Sequence, residues 1–525
     1  MKHFPSLATR ERSGRIPRRR LLSLAAGAVL TAGIIGGGMP VDAAAAELRV
    51  RIGSDIGVLD PATIFGIENQ TVAGHIYNGL VKYDQATNEI SPDLATEWSV
   101  SEDGTAYTFK LRDGVTWHKG YGKLTSDDVK FSLERVLDPA TNSRYRGQLA
   151  GVTSVDAPDP LTVVVNLESP NAGLLNKLTA FNQGWIASRK AVTEIGEEQH
   201  KLNPIGTGPF MFDSWTAGSQ ARIVANPDYF GGAPAVDSVV FRIIKDETAA
   251  AIALENREID IFFALQQPPV IDRLRNADSI TVLDRPANHT INLVMNATVE
   301  PLGDVRVRKA IAYGINRQAI IEGYFKGTKS TGHSVLTSSF PQYSEDVPQY
   351  PHDPEKAKAL LAEAGAEGFT LELVTVGLSP YDQLVVPMAS DLEKVGIKTK
   401  ITVLERGAYL QARTKGDIMT CITGVVGPPD PDSPLVTLYA TKSFPPGLNT
   451  ARYDQVDDML ASAAAEQDEA ARNGIYRDIL AKTMEDVPVL PLYADRLFLA
   501  HGNHVKGLVQ NSLFTVNVDG VSLAE

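Results

Sequence analysis

Residues 94–136 constrain the fold more than any other segment of this 525-residue chain. Between positions 106 and 111 an apolar side chain occupies every second place, a period typical of a half-buried strand. Gly104 and Gly114 flank this run and can adopt the positive φ that tight turns require. Thr125 and the two aspartates that follow it are typical of a helix start, here for a helix over 129–136. The segment therefore predicts two strands joined by turns and followed by a capped helix.

A second pattern lies in the last third of the chain. Apolar runs at 371–376 and 397–403 predict strands, and the sequence at 383–395 between them predicts a helix. Two strands joined by a helix in this order pair in parallel. We therefore expect an α/β domain in this region.

The N-terminus predicts an export signal. Arg18, Arg19 and Arg20 precede an apolar run that ends at Pro40, and alanines at 43–46 supply small residues for a cleavage site. The arginines resemble the twin-arginine export motif. We interpret residues 1–46 as a cleaved signal peptide. An uncleaved membrane helix is the alternative, although five glycines in the run weaken it.

Charge and cysteine content limit which binding partners and which cellular compartment the protein can have. The formal net charge is −13, which disfavours binding to nucleic acid because that requires clustered Lys and Arg. Cys421 is the one cysteine and lies far from the cleavage region, so we expect neither a lipid anchor nor an intrachain disulfide. An unanchored exported protein stays with its cell only in a closed compartment, which favours the periplasm of a Gram-negative bacterium.

Five segments, in this order, resemble the large extracytoplasmic solute-binding proteins of ABC importers, in particular the family that takes peptides, nickel complexes and related solutes. The resemblance rests on the segments 94–135, 203–210, 226–244, 304–317 and 487–493. The second, with two prolines and two glycines in eight residues, also predicts irregular backbone that comes close to another part of the chain.

This resemblance implies an α/β, two-lobed periplasmic binding protein fold of class II type with an extra inserted domain. Lobe I would comprise residues 47–82, 203–286 and 488–525, domain II residues 83–202, and lobe III residues 287–487. A small organic solute, peptide-like or a glycoside, would be enclosed between lobes I and III and delivered to a membrane permease and its ATPase partner. A monomer is expected.

Patterns typical of enzymes are absent from the sequence. It contains no His-Glu-x-x-His zinc motif, no Gly-x-Ser-x-Gly segment, and no phosphate-binding loop at 203–210. We therefore expect no catalytic residue, metal site or cofactor. A secreted hydrolase acting on peptides or glycosides is the alternative function.

The resemblance also indicates where the solute would bind. It implies contacts from the loop after the first strand, from the segment near position 182, and from the loop that begins at residue 424. The candidate ligand-binding residues are Thr63, Phe65, Asn182, Trp185, Val425 and Gly427. The indole of Trp185 next to polar amides suits sugars or planar solutes, and core packing is the alternative role for this ring.

Two anchors of dipeptide binders are missing in the alignment that the resemblance implies. Gly427 stands where those proteins have an Asp that pairs with the ligand's ammonium, and residues 377–381 lack the Arg that holds its carboxylate. A buried ammonium without a counter-charge is costly, so we expect unmodified dipeptides to bind weakly. A misalignment by a few residues is the alternative. Asp430 and Asp432 would cap the following helix.

Overall fold

The computed structural model describes residues 46–179, 181–426 and 430–524. The predicted signal peptide and Gly427 lie outside this part of the chain, apart from Ala46. The strands, in chain order, are β1 Glu47–Ile52, β2 Val81–Tyr83, β3 Ile90–Pro92, β4 Ala95–Val100, β5 Ala106–Leu111, β6 Val152–Asp159, β7 Thr162–Leu167, β8 Phe210–Thr216, β9 Gln220–Ala225, β10 Ser238–Ile243, β11 Ile261–Leu265, β12 Ile280–Met295, β13 Lys329–Thr331, β14 Thr370–Val376, β15 Lys398–Leu404, β16 Thr420–Val426, β17 Val489–Gly502, β18 Val505–Lys506 and β19 Ser522–Leu523.

The helices alternate with these strands, as expected for an α/β protein. They are α1 Ile67–Ala73, α2 Ser126–Leu137, α3 Leu174–Lys177, α4 Arg189–Ile195, α5 Glu197–His200, α6 Glu247–Glu255, α7 Pro268–Arg275, α8 Val305–Gly314, α9 Arg317–Phe325, α10 Pro354–Ala364, α11 Tyr381–Lys394, α12 Arg406–Lys415, α13 Asp432–Tyr439, α14 Asp457–Ala465 and α15 Glu469–Asp486. Among the described residues, no helix is both long enough and apolar enough to cross a membrane.

The largest sheet is mixed and has the strand order β16-β12-β17-β11-β1-β10-β9-β8, with β13 paired to β17. Strands β12 and β17 are long, and one end of each packs in a different apolar cluster from the other end. Their register breaks between the pairs Pro286–Arg496 and Thr290–Ala494, where three residues of β12 face one residue of β17. This break lies at the edge of the cleft described below.

The first two sequence predictions are confirmed. Strands β4, β5, β7 and β6 form an antiparallel sheet, and Asp128 at the start of α2 accepts a hydrogen bond from the backbone N–H of Thr125 at 3.0 Å. Gly104 and Gly114 have φ values of 70° and 81°. Strands β14 and β15 pair in parallel from Thr370–Lys398 onwards, as the strand–helix–strand pattern predicted.

Close backbone packing explains the glycines at 206 and 208. A Cβ at Gly206 would overlap the carbonyl oxygen of Ile76, and one at Gly208 would lie 2.5 Å from that of His75. The irregular, close-approaching backbone predicted for this segment is therefore confirmed. The hydrogen bond from Gly208 N–H to Ile76 O, at 2.8 Å, fixes the contact.

The apolar interior is divided into several clusters. One gathers side chains between Ile291 and Tyr493, another between Ala62 and Ile205, and a third joins β1 to β8–β10 and the last strands. The domain boundaries given above stay a prediction, since cluster membership alone does not define a boundary.

Candidate functional site

Two cavities lie side by side and share part of their walls. The larger has a volume of about 650 Å³ and the smaller about 500 Å³. Ile67, His289, Tyr381 and Phe514 line both, so they form the boundary, which we call the neck. Because the four residues come from α1, β12, α11 and the C-terminal segment, the cavities form one cleft bounded by distant parts of the chain.

The wall near the start of α1 is aromatic and amide-rich. Phe65 is 56% exposed, and the guanidinium of Arg144 lies 3.9 Å from the centre of its ring. The Nε2 of Gln70 donates to Oδ1 of Asn182 at 2.8 Å, and both side chains line the larger cavity. An exposed aromatic ring beside a cation and paired amides provides an apolar surface together with polar groups that can orient a solute.

Three non-glycine residues in this cleft have left-handed backbone conformations. The φ values are 48° at Asn182, 58° at Ala264 and 56° at Phe514. Asparagine tolerates this region, whereas alanine and phenylalanine adopt it at an energetic cost. Such costs persist where the surrounding structure enforces them and are concentrated at ligand sites, which supports the cleft as the functional site.

A carboxylate–histidine–lysine cluster adjoins the neck. Asp495 accepts a short hydrogen bond from Nδ1 of His289, and the Nζ of Lys329 lies 2.7 Å from its other oxygen. Burial by itself would raise the pKa of Asp495, but the hydrogen bond from His289 and the charge of Lys329 outweigh it and hold the pKa at about 2. The carboxylate is therefore ionised at neutral pH and fixes the orientation of the imidazole.

Gly424 on β16 makes room for two polar atoms at the neck. A Cβ at this position would lie 2.5 Å from Nε2 of His289 and 2.7 Å from Oη of Tyr381. Burial raises the pKa of Tyr381, as does the nearby charge of Asp495, so its hydroxyl remains protonated. The absence of a side chain at residue 424 thus brings a ring nitrogen and a phenol close together.

A buried acidic pair lies at the edge of the larger cavity. Asp430 accepts hydrogen bonds from Nδ2 of Asn176 at 3.4 Å and from the backbone N–H of Asp432 at 3.2 Å, at the start of α13. Burial and then the neighbouring charge of Asp432 raise the pKa of Asp430 to about 7. Asp430 thus contacts the first residue of α13, whose N-cap is Pro431 without a side-chain capping bond, and it also contacts a residue about 250 positions earlier in the chain.

Comparison with known proteins identifies the class of protein that has this cleft. The family model of bacterial extracellular solute-binding proteins, family 5, middle region, matches residues 89–445. The chain belongs to this family. As a family 5 protein it is the solute-binding component of an ABC importer and has the two-lobed fold of periplasmic binding proteins.

Relatives and solved structures agree with this assignment. The family 5 chain is 32% identical to the dipeptide-binding protein of Escherichia coli K12 over 85% of its own length and 89% of that protein. It is 30% identical to the glutathione-binding protein GsiB of Escherichia coli O1:K1, over 88% and 92% of the two chains. HbpA2 from Haemophilus parasuis superimposes with a TM-score of 0.86 at 26% identity, covering 91% of this chain and all of that one. The alternative of a hydrolase finds no support in these relatives, which are binding proteins.

The residues predicted for the site lie in different places in this family 5 structure. Phe65 and Asn182 line the larger cavity. Thr63 precedes Phe65 but does not line either cavity, and its buried Oγ1 has no partner among the described residues. Val425 is half-buried on β16, opposite Thr290, and packs against the apolar cluster beside the cleft. Gly427 lies outside the described residues.

Trp185 packs in the core. Its side chain is 2% exposed, and its ring centre is 6.2 Å from that of Tyr77 and 6.0 Å from that of Phe181. It lines neither cavity. The structure therefore favours the packing role over direct contact with a solute.

Sequence analysis did not single out several cleft residues. Tyr381 is the last residue of the loop 377–381, which follows the predicted strand at 371–376, and such loops in α/β proteins often carry binding residues. His289 and Phe514 give no comparable local signal. The break in register that exposes His289 depends on strand pairing between segments more than 200 residues apart.

Proposed function

We propose that this protein captures a solute that carries a free carboxylate and an apolar portion, and delivers it to the permease of its importer. One observation carries the proposal. The larger cavity presents two cations, Arg144 and Lys177, and neither forms an ion pair within the described residues. Lys177 is attracted by the nearby Asp430 and Asp432, so Arg144 is the cation that most directly favours an anionic ligand.

The other charges of this cavity support the same choice. The raised pKa of Asp430 leaves part of its population neutral near pH 7 and so reduces the negative charge of the wall. Glu68 is the remaining carboxylate at the wall. Aromatic rings at Phe65, Phe181 and Phe514 would contact the apolar portion. A dipeptide binder and a glutathione binder are among the relatives, and both named ligands carry free carboxylates.

The proposal extends to the location and state of the protein. Residues 1–46 would direct export and be removed, leaving an unanchored monomer in the periplasm. It would bind its solute without changing it chemically. Incubation with peptides or glycosides, followed by mass spectrometry, tests for hydrolysis. Detection of a hydrolytic product would contradict a purely binding role.

Calorimetry on paired ligands tests the carboxylate requirement. The panel comprises glutathione, N-acetylated dipeptides and unmodified dipeptides, each also prepared with a C-terminal amide. We expect the free acids to bind up to ~5-fold more tightly than the amides, because a solvent-accessible ion pair contributes up to about 1 kcal/mol. We also expect N-acetylation to improve binding of dipeptides, because it removes the ammonium, and the alignment that the resemblance implies has Gly427 where dipeptide binders have the Asp that pairs with this group.

Arg144→Gln should remove most of the preference for the free acid. Arg146→Gln is the matched control, since Arg146 is also exposed but does not line the cleft. Equal binding of acids and amides by the unmodified protein would contradict the proposed ligand class.

A further inference from the structure

We infer that His289 and Tyr381 together form hydrogen bonds to a hydroxyl or a primary carboxamide in the middle of the solute. This inference rests on the proposed function, because it places that group between two portions of one ligand. The decisive feature is the position of both polar atoms above Gly424, at the neck where the two cavities meet.

The two polar atoms lie close together and are not otherwise engaged. Both are within 2.7 Å of a single point, the Cβ position of residue 424, so they lie within about 5 Å of each other. Among the described residues, neither Nε2 of His289 nor Oη of Tyr381 has a hydrogen-bond partner, and the two atoms do not bond to each other. Because both side chains line the cleft, a bound molecule can supply the missing partner.

The chemistry of the pair follows from its surroundings. The hydrogen bond from Nδ1 of His289 to Asp495 places the proton of the neutral ring on Nδ1, so that Nε2 accepts. The Tyr381 hydroxyl, kept protonated by burial, donates. The neck therefore offers one acceptor and one donor.

The separation of the two atoms limits which groups can satisfy both. A hydroxyl oxygen can donate to one atom and accept from the other when the two atoms lie less than about 5.6 Å apart. A primary carboxamide presents its N–H and C=O on neighbouring atoms on the same side. A trans peptide bond directs its N–H and C=O to opposite sides and would need a wider gap. The geometry therefore selects a hydroxyl or a primary carboxamide.

The position at the neck also constrains the rest of the solute. The larger cavity, with Arg144 and Lys177, lies on one side, and the smaller, bounded by Gln266, Gln267 and Arg496, lies on the other. A molecule whose polar group is at the neck thus extends into both. Its carboxylate lies in the larger cavity, and the portion beyond the polar group extends into the smaller one.

Matched N-acetyl dipeptides test the inference by calorimetry. Each pair differs by one side chain: serine against alanine, and glutamine against norleucine. For at least one pair we expect the unmodified protein to bind the polar member about tenfold more tightly, since two hydrogen bonds at a partly buried site together contribute about 1.4 kcal/mol. Tyr381→Phe removes only the hydroxyl and should reduce this ratio to about threefold or less.

Gly424→Ala should abolish the discrimination, because the added methyl displaces both polar atoms. Gly474→Ala is the matched control: a Cβ there meets no atom within 4 Å, the residue lies on α15, and it lines neither cavity. It should bind both members of each pair as the unmodified protein does. Thermal unfolding of each variant verifies that it is folded.

The outcomes separate this inference from the proposed function. If the unmodified protein binds polar and apolar members equally, or if Tyr381→Phe and Gly424→Ala keep the full discrimination, the inference is overturned while carboxylate-dependent binding stands. If no free acid of either panel binds, the proposed ligand class is overturned and the inference with it.

Discussion

Two clusters of this molecule have nearly the same composition and different surroundings. In the interior, Asp60 accepts hydrogen bonds from Arg135 at 3.0 and 3.3 Å and contacts Nδ1 of His200 at 3.4 Å. At the neck, Asp495 is held by His289 and Lys329. In both, burial by itself would raise the pKa of the carboxyl, but the hydrogen bond from the histidine and the charge of the basic residue outweigh it and hold the pKa at about 2.

The difference between the clusters lies in the histidine. The side chains of Asp60 and His200 are completely buried, and Nε2 of His200 receives a long hydrogen bond from the backbone N–H of Ile205 at 3.5 Å. The side chain of His289 is 17% exposed, and its Nε2 faces the cleft. A cluster of this kind thus stabilises the core when both nitrogens of its histidine are engaged, and is available to a ligand when one of them is left open.

The largest expected effect comes from removing the interior carboxylate. Asp60→Ala leaves Arg135 buried without its partner and should lower the free energy of unfolding by ~3–5 kcal/mol. Asp495→Ala should cost about 1–3 kcal/mol, because Lys329 and His289 can both reach water. Urea denaturation measures the free energy of unfolding of both variants. Equal losses in the two would contradict the predicted difference between the clusters.

The pH dependence of stability should be opposite for the paired acids and for Asp430. Asp60 and Asp495 have lowered pKa values, so their contribution is complete above about pH 4 and is lost as the pH falls through about 2. The pKa of Asp430 is raised from 3.8 to about 7, so the folded state binds the extra proton and stability falls as the pH rises from 4 through 7.

Asp430→Asn should therefore reduce the loss of stability between pH 5 and pH 8. Thermal unfolding across this range measures the slope, with Asp432→Asn as a variant of the neighbouring acid. An unchanged slope in Asp430→Asn would show that its carboxyl is ionised across the whole range.

The smallest expected effect on stability is that of His289→Gln, at about 1 kcal/mol or less. The same change should weaken binding of the polar N-acetyl dipeptides several-fold, because the acceptor at the neck is displaced. His200→Gln should act in the opposite way, lowering stability more and leaving affinity unchanged. Calorimetry and denaturation of both variants measure their affinity and their stability. If both variants lost stability and neither lost affinity, the proposed difference between the two histidines would be wrong.

Local patterns predicted much of the fold because the responsible interactions are local. The strand at 106–111, the cap at Thr125 and the parallel pair at 371–403 each depend on residues within about 35 positions of one another. The close backbone approach at Gly206 was also visible, because glycine and proline limit the local conformation directly.

Fewer residues of the site could be predicted from local sequence patterns. Phe65 and Asn182 line the cleft, whereas Trp185 packs in the core, and nothing in its own neighbourhood distinguishes the two situations. The role proposed for His289 depends on Asp495 and Gly424, which are brought close to it by pairing of β12 with β17 and β16. Such contacts between distant segments have no counterpart in periodicity or spacing.

The break in register between β12 and β17 gives the cleft a mechanical property. These strands continue from one apolar cluster into another, and His289 and Asp495 lie where their pairing is interrupted. An interrupted ladder bends more easily than a continuous one. Under the proposed function, the solute therefore binds beside the point at which these two strands bend. A solute that fits only one bend angle would hold the protein at that angle, and the permease could then distinguish a loaded protein from an empty one.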